Sequence, residues 1–332
     1  MTSDAARRRL VTIPRTIAIW LGLTVLFPLL VMTTMVVDLV RSLFTRKPWM
    51  ATRLLLMAWV YLAAQMFVIA VGGAQWLAAL LYGKRSAAKL ADWTYGLQAQ
   101  WVRFIVAAME RVMGVSFESF HNDVVAPGPV IVLFRHASIM DNLLPYVFVS
   151  DRAGIRLRWV LKRELLSDPA LDIGGNRLPN YFVDRKSDSP EQERANIAAL
   201  GEGLGEHEGV MLFPEGTRFS PAKYAARMAR LAESDPDLHR IMEGHTHVLP
   251  PRTGGAIALL DSGMDVIIAA HTGLESLRGI KEIWGEAPIG REVRVSFRRI
   301  AAGDIPSGHD ARVRWLHEEW ARVDDTVVEL QG

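Results

Sequence analysis

PVIVLFRHASIMDNLLP, residues 129–145, is the stretch from which the fold of this chain can be worked out. Six apolar or ring residues lead into a polar turn, and a second apolar run follows. A short apolar run bounded by turn residues is typical of a buried strand. The stretch therefore predicts a strand at 129–134, then a turn holding His136, and a helix near 141–150 with Asp141 in its first turn.

Similar short apolar runs recur toward the C-terminus and alternate with stretches of helical periodicity. This order favours an α/β domain in which helices flank a mixed sheet. Further strands are predicted at 158–162, 180–183, 209–213, 265–271 and 291–297, and further helices near 188–206, 220–234, 253–262 and 309–329.

Composition restricts the chemistry that this chain can perform. With 332 residues, half of them hydrophobic, the chain is long enough to bury a full-sized core. It contains no cysteine, so disulfides, thiolate catalysis and cysteine-ligated zinc are excluded. Net charge is +2, but residues 1–53 carry eight Lys or Arg against two Asp. A basic segment of this kind favours contact with anionic lipid over nucleic acid.

Two uncharged stretches dominate the N-terminal region. Residues 16–37 contain no charge over 22 positions, and residues 54–83 contain none over 30. Either stretch can cross a bilayer core of about 30 Å, so together they predict a membrane hairpin over residues 1–83. The outer flanks carry seven positive residues and the connector four, which favours cytoplasmic flanks. A spanning hairpin and a re-entrant one that stays in a single leaflet both fit this pattern.

Residues 84–114 form a distinct segment between the hairpin and the predicted α/β domain at 115–332. Apolar residues recur there at intervals of three and four, with Trp93 and Trp101 on the apolar stripe. This spacing predicts an amphipathic helix. Its stripe either forms core for the domain that follows or lies in the lipid headgroup layer.

His136 and Asp141 have the separation of a base and its orienting carboxylate. Five helical residues would turn the two side chains about 140° apart, so they meet only if His136 precedes the helix and Asp141 lies in its first turn. A carboxylate then orients the imidazole, and the other ring nitrogen takes a proton from a hydroxyl. The alternative is structural, because Ser138 and Asp141 also fit a helix-capping pattern.

A second polar motif, FPEGTR at 213–218, directly follows a predicted strand. The loops that leave the strands of α/β sheets are where binding sites form. Gly216 permits close approach of the backbone, and the planar guanidinium of Arg218 suits phosphate.

The order of four motifs resembles that of the glycerolipid acyltransferases, a family that includes the 1-acylglycerol-3-phosphate acyltransferases. The motifs are His136-x4-Asp141, YFVDR at 181–185, FPEGTR and VLPPRTGG at 248–255. The resemblance covers roughly residues 115–275. It implies transfer of a fatty acyl group from acyl-CoA or acyl-acyl carrier protein, without other cofactors, to the free hydroxyl of a lysophospholipid, most simply lysophosphatidic acid.

The resemblance also implies a role for individual residues. His136 is expected to be the general base and Asp141 its partner, while the acceptor phosphate and glycerol are bound by residues of the second and third motifs and a preceding lysine: Arg185, Glu215, Gly216, Thr217, Arg218 and Lys162. Two positions depart from the family pattern, since Arg135 stands where relatives often carry Asn, and Tyr181 is bulkier than usual.

Other interpretations have weaker support in the sequence. HTH at 245–247 lacks a third ligand nearby, so no metal site is expected. No G-x-S-x-G elbow is present, which argues against an α/β-hydrolase. The sequence leaves open a transacylase, an acyltransferase acting on another lysophospholipid, and a membrane-anchored lipid-binding protein without turnover.

Overall fold

The computed structural model describes residues 3–45, 49–184, 187–277 and 289–332, which form two compact units. Unit 1 comprises Met1–Val115 and Lys162–Asn180, and unit 2 comprises Ser116–Leu161 and Tyr181–Gly332. The segment Lys162–Asn180 thus packs with the N-terminal region, although it lies within the predicted domain 115–332. This insertion leaves no signal in the sequence, because the local pattern of residues 162–180 is that of an ordinary strand–helix connection.

In the described part of unit 2, seven strands form one mixed sheet in the order β1-β7-β6-β2-β5-β3-β4. β2 is parallel to β5 and β6, β3 is parallel to β5, and β7 is antiparallel to β6 and parallel to β1. The predicted mixed sheet with flanking helices is therefore confirmed. The strands are β1 Ser116–Phe120, β2 Val130–Phe134, β3 Arg156–Lys162, β4 Tyr181–Val183, β5 Glu208–Leu212, β6 Asp265–Thr272 and β7 Glu292–Ile300.

Burial explains which strands the sequence reveals. All five residues of β2 are buried, as are seven of the eight in β6, so both strands read as continuous apolar runs. β1, with the sequence SFESF, is an edge strand without a buried residue, and it was not predicted. Its strand conformation depends on pairing with β7, which no local pattern signals.

Helices cover the sheet of unit 2. They are α4 Leu143–Pro145, α6 Pro190–Ala198, α7 Pro221–Ser234, α8 Pro236–Met242, α9 Thr253–Leu260 and α10 His309–Gln331. A π-helical segment, Tyr146–Arg152, continues α4. One apolar cluster joins α6 to α10 with β2, β5 and β6, and Trp320 is its largest fully buried side chain. Sequence analysis missed α8, a seven-residue helix whose start is capped by Asp235.

Because β2, β5 and β6 are parallel, their carboxyl ends meet at one edge of the sheet. The loops that follow Phe134, Leu212 and Thr272 therefore lie side by side. Two of these loops carry His136-x4-Asp141 and FPEGTR, so the sheet topology alone brings both motifs together.

Unit 1 is helical, with α1 Ser3–Thr45, α2 Ala51–Ala79, α3 Ser86–Ala108 and α5 Pro169–Gly175. Asp38 accepts hydrogen bonds from the backbone N–H groups of Met50, Ala51 and Thr52 and so caps the first turn of α2. Farther from this turn, the indole of Trp59 in α2 donates a hydrogen bond to Thr24 Oγ1 in α1 (3.1 Å). α1 and α2 therefore run antiparallel, as predicted for a hairpin, and Asp4–Thr45 and Ala51–Gly83 are each long and apolar enough to cross a membrane.

The apolar stripe of α3 packs inside unit 1. Leu97 forms a buried cluster with Val68 of α2 and Ala170 of α5, and Trp101 packs against this cluster. The structure thus favours the core interpretation of the stripe. An interfacial role for residues 84–114 stays a prediction, and Phe104, seven positions after Leu97 on the same stripe, is exposed.

Candidate active site

The turn after β2 brings the imidazole of His136 against the carboxylate of Asp141. His136 Nδ1 lies 3.0 Å from Asp141 Oδ2. Both residues precede α4, which begins at Leu143, so Asp141 lies just before the helix and not in its first turn as expected. The contact itself is the one that the spacing was proposed to allow.

Asp141 is also the anchor of the turn. Its Oδ2 accepts hydrogen bonds from the backbone N–H groups of Ala137 (2.5 Å) and Ser138 (2.7 Å), and its Oδ1 accepts one from Ser138 Oγ (2.7 Å). Burial raises the pKa of Asp141, but the nearby imidazoles of His271 and His136 and the Ser138 hydroxyl outweigh burial and lower the pKa to about 2. The orienting and capping interpretations of Asp141 are therefore compatible, because one ionised carboxylate does both.

The ring of His136 is held so that one nitrogen stays available. A charged carboxylate at Nδ1 favours the tautomer with hydrogen on Nδ1, which leaves the lone pair on Nε2. The ring stacks on Phe213 with centroids 4.3 Å apart and 22° between the planes. Its side chain keeps 13% of its surface exposed. An oriented, partly accessible imidazole of this kind can accept a proton from an alcohol.

Glu215 of the FPEGTR motif lies beneath the site and faces away from solvent. It is fully buried, and its two carboxylate oxygens accept hydrogen bonds from the backbone N–H groups of His136 (2.7 Å) and Leu249 (3.0 Å). Burial raises the pKa of Glu215 to about 8. The resemblance assigns Glu215 to acceptor binding, whereas this geometry favours a role in holding the His136 backbone against the 248–252 loop.

We expect Glu215→Gln to lower the free energy of unfolding without ligand by about 1–3 kcal/mol, because an amide nitrogen cannot accept the second backbone hydrogen bond. Thermal or denaturant unfolding of ligand-free protein measures this change. Glu233→Gln, an exposed position on α7, is the matched control and should be neutral. Unchanged stability together with a raised acceptor KM would instead assign Glu215 to the acceptor.

The remaining FPEGTR residues form a tight turn that leads into α7. Gly216 has φ +62°, a left-handed conformation that favours glycine, and its N–H donates to the carbonyl of Phe213 (2.8 Å). Lys223 Nζ of α7 donates to Thr217 Oγ1 (3.0 Å) and to the carbonyl of Arg218 (3.1 Å). The Arg218 side chain is half-buried at this turn.

A buried charged network under the site was missed in the sequence. Arg135 is 0% exposed, and its guanidinium donates to Glu275 Oε1 (2.7 Å), to the carbonyl of His247 (3.0 and 3.1 Å) and to the carbonyl of His271. The residue that departs from the family pattern is thus part of the scaffold. Its partners lie more than 100 positions away in the sequence, so they leave no local signal.

Two further candidate residues are Lys162 and Arg185, and Arg252 is the arginine of the fourth motif. Lys162 is the last residue of β3 and is half-buried. Arg252 is exposed, and its N–H donates to the carbonyl of Pro214 (2.8 Å). Arg185 lies outside the described residues, so its role in acceptor binding stays a prediction.

The HTH segment has a structural partner. Asp324 of α10 accepts hydrogen bonds from the backbone N–H groups of Thr246 (3.3 Å), His247 (2.5 Å) and Val248 (3.0 Å). Over the described ranges, 3–45, 49–184, 187–277 and 289–332, no group of three or more His, Cys, Asp or Glu could hold a metal ion.

Comparison with known proteins agrees with this geometry. Residues 118–271 match the sequence model of the family described as Acyltransferase, a range that contains His136, Asp141 and FPEGTR. Over this range the chain matches the acyltransferase family. The chain is also similar to the crystal structure of the 1-acyl-sn-glycerophosphate (LPA) acyltransferase PlsC from Thermotoga maritima, with a TM-score of 0.54 and 18% sequence identity. The match covers 84% of this chain and 96% of that one, and it shows a shared fold. The resemblance to glycerolipid acyltransferases is thereby confirmed.

Proposed function

We propose that this acyltransferase moves a fatty acyl group from acyl-CoA or acyl-acyl carrier protein to the free hydroxyl of a lysophospholipid, with lysophosphatidic acid as the first candidate. The observation that carries the proposal is the His136–Asp141 pair, held at 3.0 Å with the histidine partly exposed. The acceptor is suggested by PlsC, which is named an LPA acyltransferase.

The proposed reaction needs one base and no enzyme nucleophile. His136 Nε2 takes the proton of the acceptor hydroxyl as its oxygen attacks the thioester carbonyl. The C–O bond forms, the C–S bond breaks, and the imidazolium returns the proton to the leaving thiolate. Asp141 stays ionised and stabilises the imidazolium, as its lowered pKa allows. Because a thioester is already activated, a chain without cysteine can carry out this transfer.

Arg218 and Arg185 are the proposed ligands of the acceptor phosphate, with Gly216, Thr217 and Lys162 as further candidates. Arg218 and Thr217 lie in the loop that leaves β5, next to the loop that carries His136. A phosphomonoester carries close to two negative charges, and a guanidinium binds it through two parallel hydrogen bonds.

We expect Arg218→Lys and Arg185→Lys each to raise the acceptor KM by about ten- to a hundredfold, since losing a bidentate contact costs about 1.5–3 kcal/mol. The KM for acyl-CoA, which also carries phosphates, is the internal control and should change little. Steady-state kinetics with each substrate varied in turn gives both constants. A rise in the donor KM with an unchanged acceptor KM would assign the arginines to the donor instead.

One assay separates the proposed function from its alternatives. Purified protein is incubated with labelled acyl-CoA and lysophosphatidic acid, and both labelled phosphatidic acid and free CoA are measured. Equal amounts of both products support the proposal. Product from a phospholipid donor without CoA release identifies a transacylase, and binding without product identifies a lipid-binding protein. A panel of other lysophospholipids then tests the acceptor.

Membrane association is proposed from the charge and exposure of unit 1. This unit holds 16 Lys or Arg against seven Asp or Glu, whereas unit 2 holds 22 against 29. Large apolar side chains are exposed along α1, including Val25, Leu29, Met32 and Phe44. A basic unit with an apolar helix surface fits an anionic bilayer, with the catalytic unit placed on the cytoplasmic side by its flanking positive charges.

Contacts within unit 1 favour a hairpin that stays in one leaflet. Gln65, near the middle of α2, bonds Asp168 (2.6 Å) and the N–H of Ala170 (2.9 Å), and Arg8 and Arg9 both pair with the buried Asp172. A spanning α2 would carry the carboxylates of Asp168 and Asp172 to the bilayer midplane, where charge is costly. α1 is also about 64 Å long from its 43 residues, twice the hydrocarbon thickness.

Cysteine labelling tests this arrangement, because the chain has no native cysteine. We expect Ser42→Cys, near the hairpin turn, to react with a membrane-impermeant maleimide in vesicles that expose the cytoplasmic face. Ser307→Cys in unit 2 is the exposed control and should react under the same conditions. Labelling of Ser307→Cys alone, with Ser42→Cys reactive only from the opposite face, would show that the hairpin spans the bilayer.

A further inference from the structure

A second histidine lies beside the carboxylate that orients His136. His271, near the end of β6, is fully buried. Its Nε2 is 3.0 Å from the carbonyl oxygen of Arg135 and 3.6 Å from Asp141 Oδ1. Because both neighbours can only accept, Nε2 must carry a hydrogen. The tautomer of His271 therefore follows from its surroundings, because the Nε2–H donates to the carbonyl of Arg135, and Asp141 Oδ1 lies 3.6 Å from the same nitrogen.

Retaining this imidazole costs free energy. His271 Nδ1 is buried without a hydrogen-bond partner in the part of the chain that the structure describes. Burial lowers the pKa of His271, although the attraction of Asp141 opposes this shift. Its two predecessors on β6 are alanines, and an apolar residue would avoid the unpaired nitrogen. A purely structural role does not explain a histidine here.

The charged groups that face His271 come from three neighbouring segments. They are Asp141 of the turn after β2, Arg135 at the end of β2, and Glu275 of the loop after β6. Arg135 and Glu275 pair with each other at 2.7 Å. The ring of Phe134 packs on the imidazole at a centroid distance of 5.9 Å. The charges of Arg135 and Glu275 offset each other in this ion pair. Asp141 is therefore the charged group whose electrostatic environment His271 can affect most.

We propose that His271 is a positioning residue for the catalytic base. The Ser138 hydroxyl donates to Oδ1 of Asp141 (2.7 Å), and the polar Nε2 of His271 lies 3.6 Å from the same oxygen, while Oδ2 faces His136 Nδ1 (3.0 Å). His271 also offsets part of the carboxylate charge, so that His136 gives up its proton readily after the acyl transfer. The inference rests on the proposed roles of His136 and Asp141.

Three variants of His271 test the proposal through kinetics. His271→Phe keeps a ring but removes the N–H, and we expect kcat to fall about tenfold with both KM values within about twofold of wild type. The acidic limb of the pH profile of kcat/KM should move to higher pH, because Asp141 then holds the His136 proton more tightly. His271→Gln places an amide N–H near the former Nε2 and should stay within about threefold of wild type.

His271→Asn is the matched control, since its shorter amide reaches the position of Nδ1 and not that of Nε2. If His271→Phe does not fold, higher activity of His271→Gln than of His271→Asn supports the proposal. Equal activity of these two, or a wild-type pH limb in folded His271→Phe, overturns it. Titration of the His136 ring by NMR without substrate gives a readout that does not depend on activity. If the wild-type enzyme forms no product, the proposed function is refuted. The NMR titration of His136 in wild type and in His271→Phe still tests whether His271 affects the base.

Discussion

His136→Ala is expected to lower kcat by about 10²–10⁴-fold while the protein stays folded, because the change removes the proposed general base. The KM values should change little, since the proposed contact of this side chain is with the reacting hydroxyl and not with the charged head group. Single-turnover kinetics with labelled acyl-CoA separates this loss from slow product release. Wild-type turnover in the His136→Ala variant would show that another residue is the base.

Asp141→Asn distinguishes the orienting carboxylate from a structural cap. An asparagine oxygen can still accept from Ala137 and Ser138, whose N–H groups both bond Oδ2, but the amide has no negative charge to stabilise the imidazolium. We expect activity per folded molecule to fall by a factor close to that of His136→Ala. Near-wild-type activity per folded molecule, with lowered thermal stability, would mean that Asp141 is only a cap.

Glu275→Gln is expected to lower the free energy of unfolding by about 3 kcal/mol, at the lower end of the range for breaking a buried ion pair. Arg135 is fully buried, and this substitution leaves its charge uncompensated. The glutamine carbonyl can still accept one hydrogen bond, which places the expected effect at the lower end. Urea denaturation of the two proteins gives the difference.

The matched control is Glu318→Gln, which breaks the exposed pair with Arg314. Such surface pairs contribute about 0.5 kcal/mol or less, so this variant should unfold like wild type. Equal stability of Glu275→Gln and Glu318→Gln would show that Arg135 does not depend on Glu275. A larger loss for Glu275→Gln supports the buried network as the scaffold of the catalytic turn.

The same pair makes a pH-dependent contribution. Burial raises the pKa of Glu275, but Arg135 outweighs it and lowers the pKa to about 2 from an ordinary value of 4.5. The ionised carboxylate therefore stabilises the fold fully above about pH 4.5, and this contribution is lost as the pH falls toward 2. Glu275→Gln should remove that part of the acid dependence, which unfolding measured at several pH values would detect.

Local pattern was sufficient where burial is continuous along the chain. β2 and β6 read as apolar runs because both faces of the sheet are covered, and the N-terminal hairpin reads as two uncharged stretches. The short elements β1, α5 and α8 were missed. Each has only five to seven residues, and their stability comes from pairing or packing with distant parts of the chain.

In the candidate site, too, the local features could be predicted from the sequence and the long-range contacts could not. The spacing of His136 and Asp141 and the FPEGTR loop could be recognised in sequence, because each depends on residues a few positions apart. The sequence did not reveal that Glu215 accepts a hydrogen bond from the His136 backbone. It also did not reveal that Arg135 pairs with Glu275. These contacts join residues 79 and 140 positions apart, and side-chain direction at the end of a strand depends on which loops pack beside it.

The sequence by itself determined the α/β class, the apolar hairpin and the pairing of a histidine with a carboxylate, since periodicity, charge and short spacing carry that information. The tertiary structure decided the surroundings of that pair. Three parallel strands end at one edge and bring the loops that carry His136 and Glu215 beside His271 at the end of β6. Such contacts depend on strand order in space, which the order of residues along the chain does not specify.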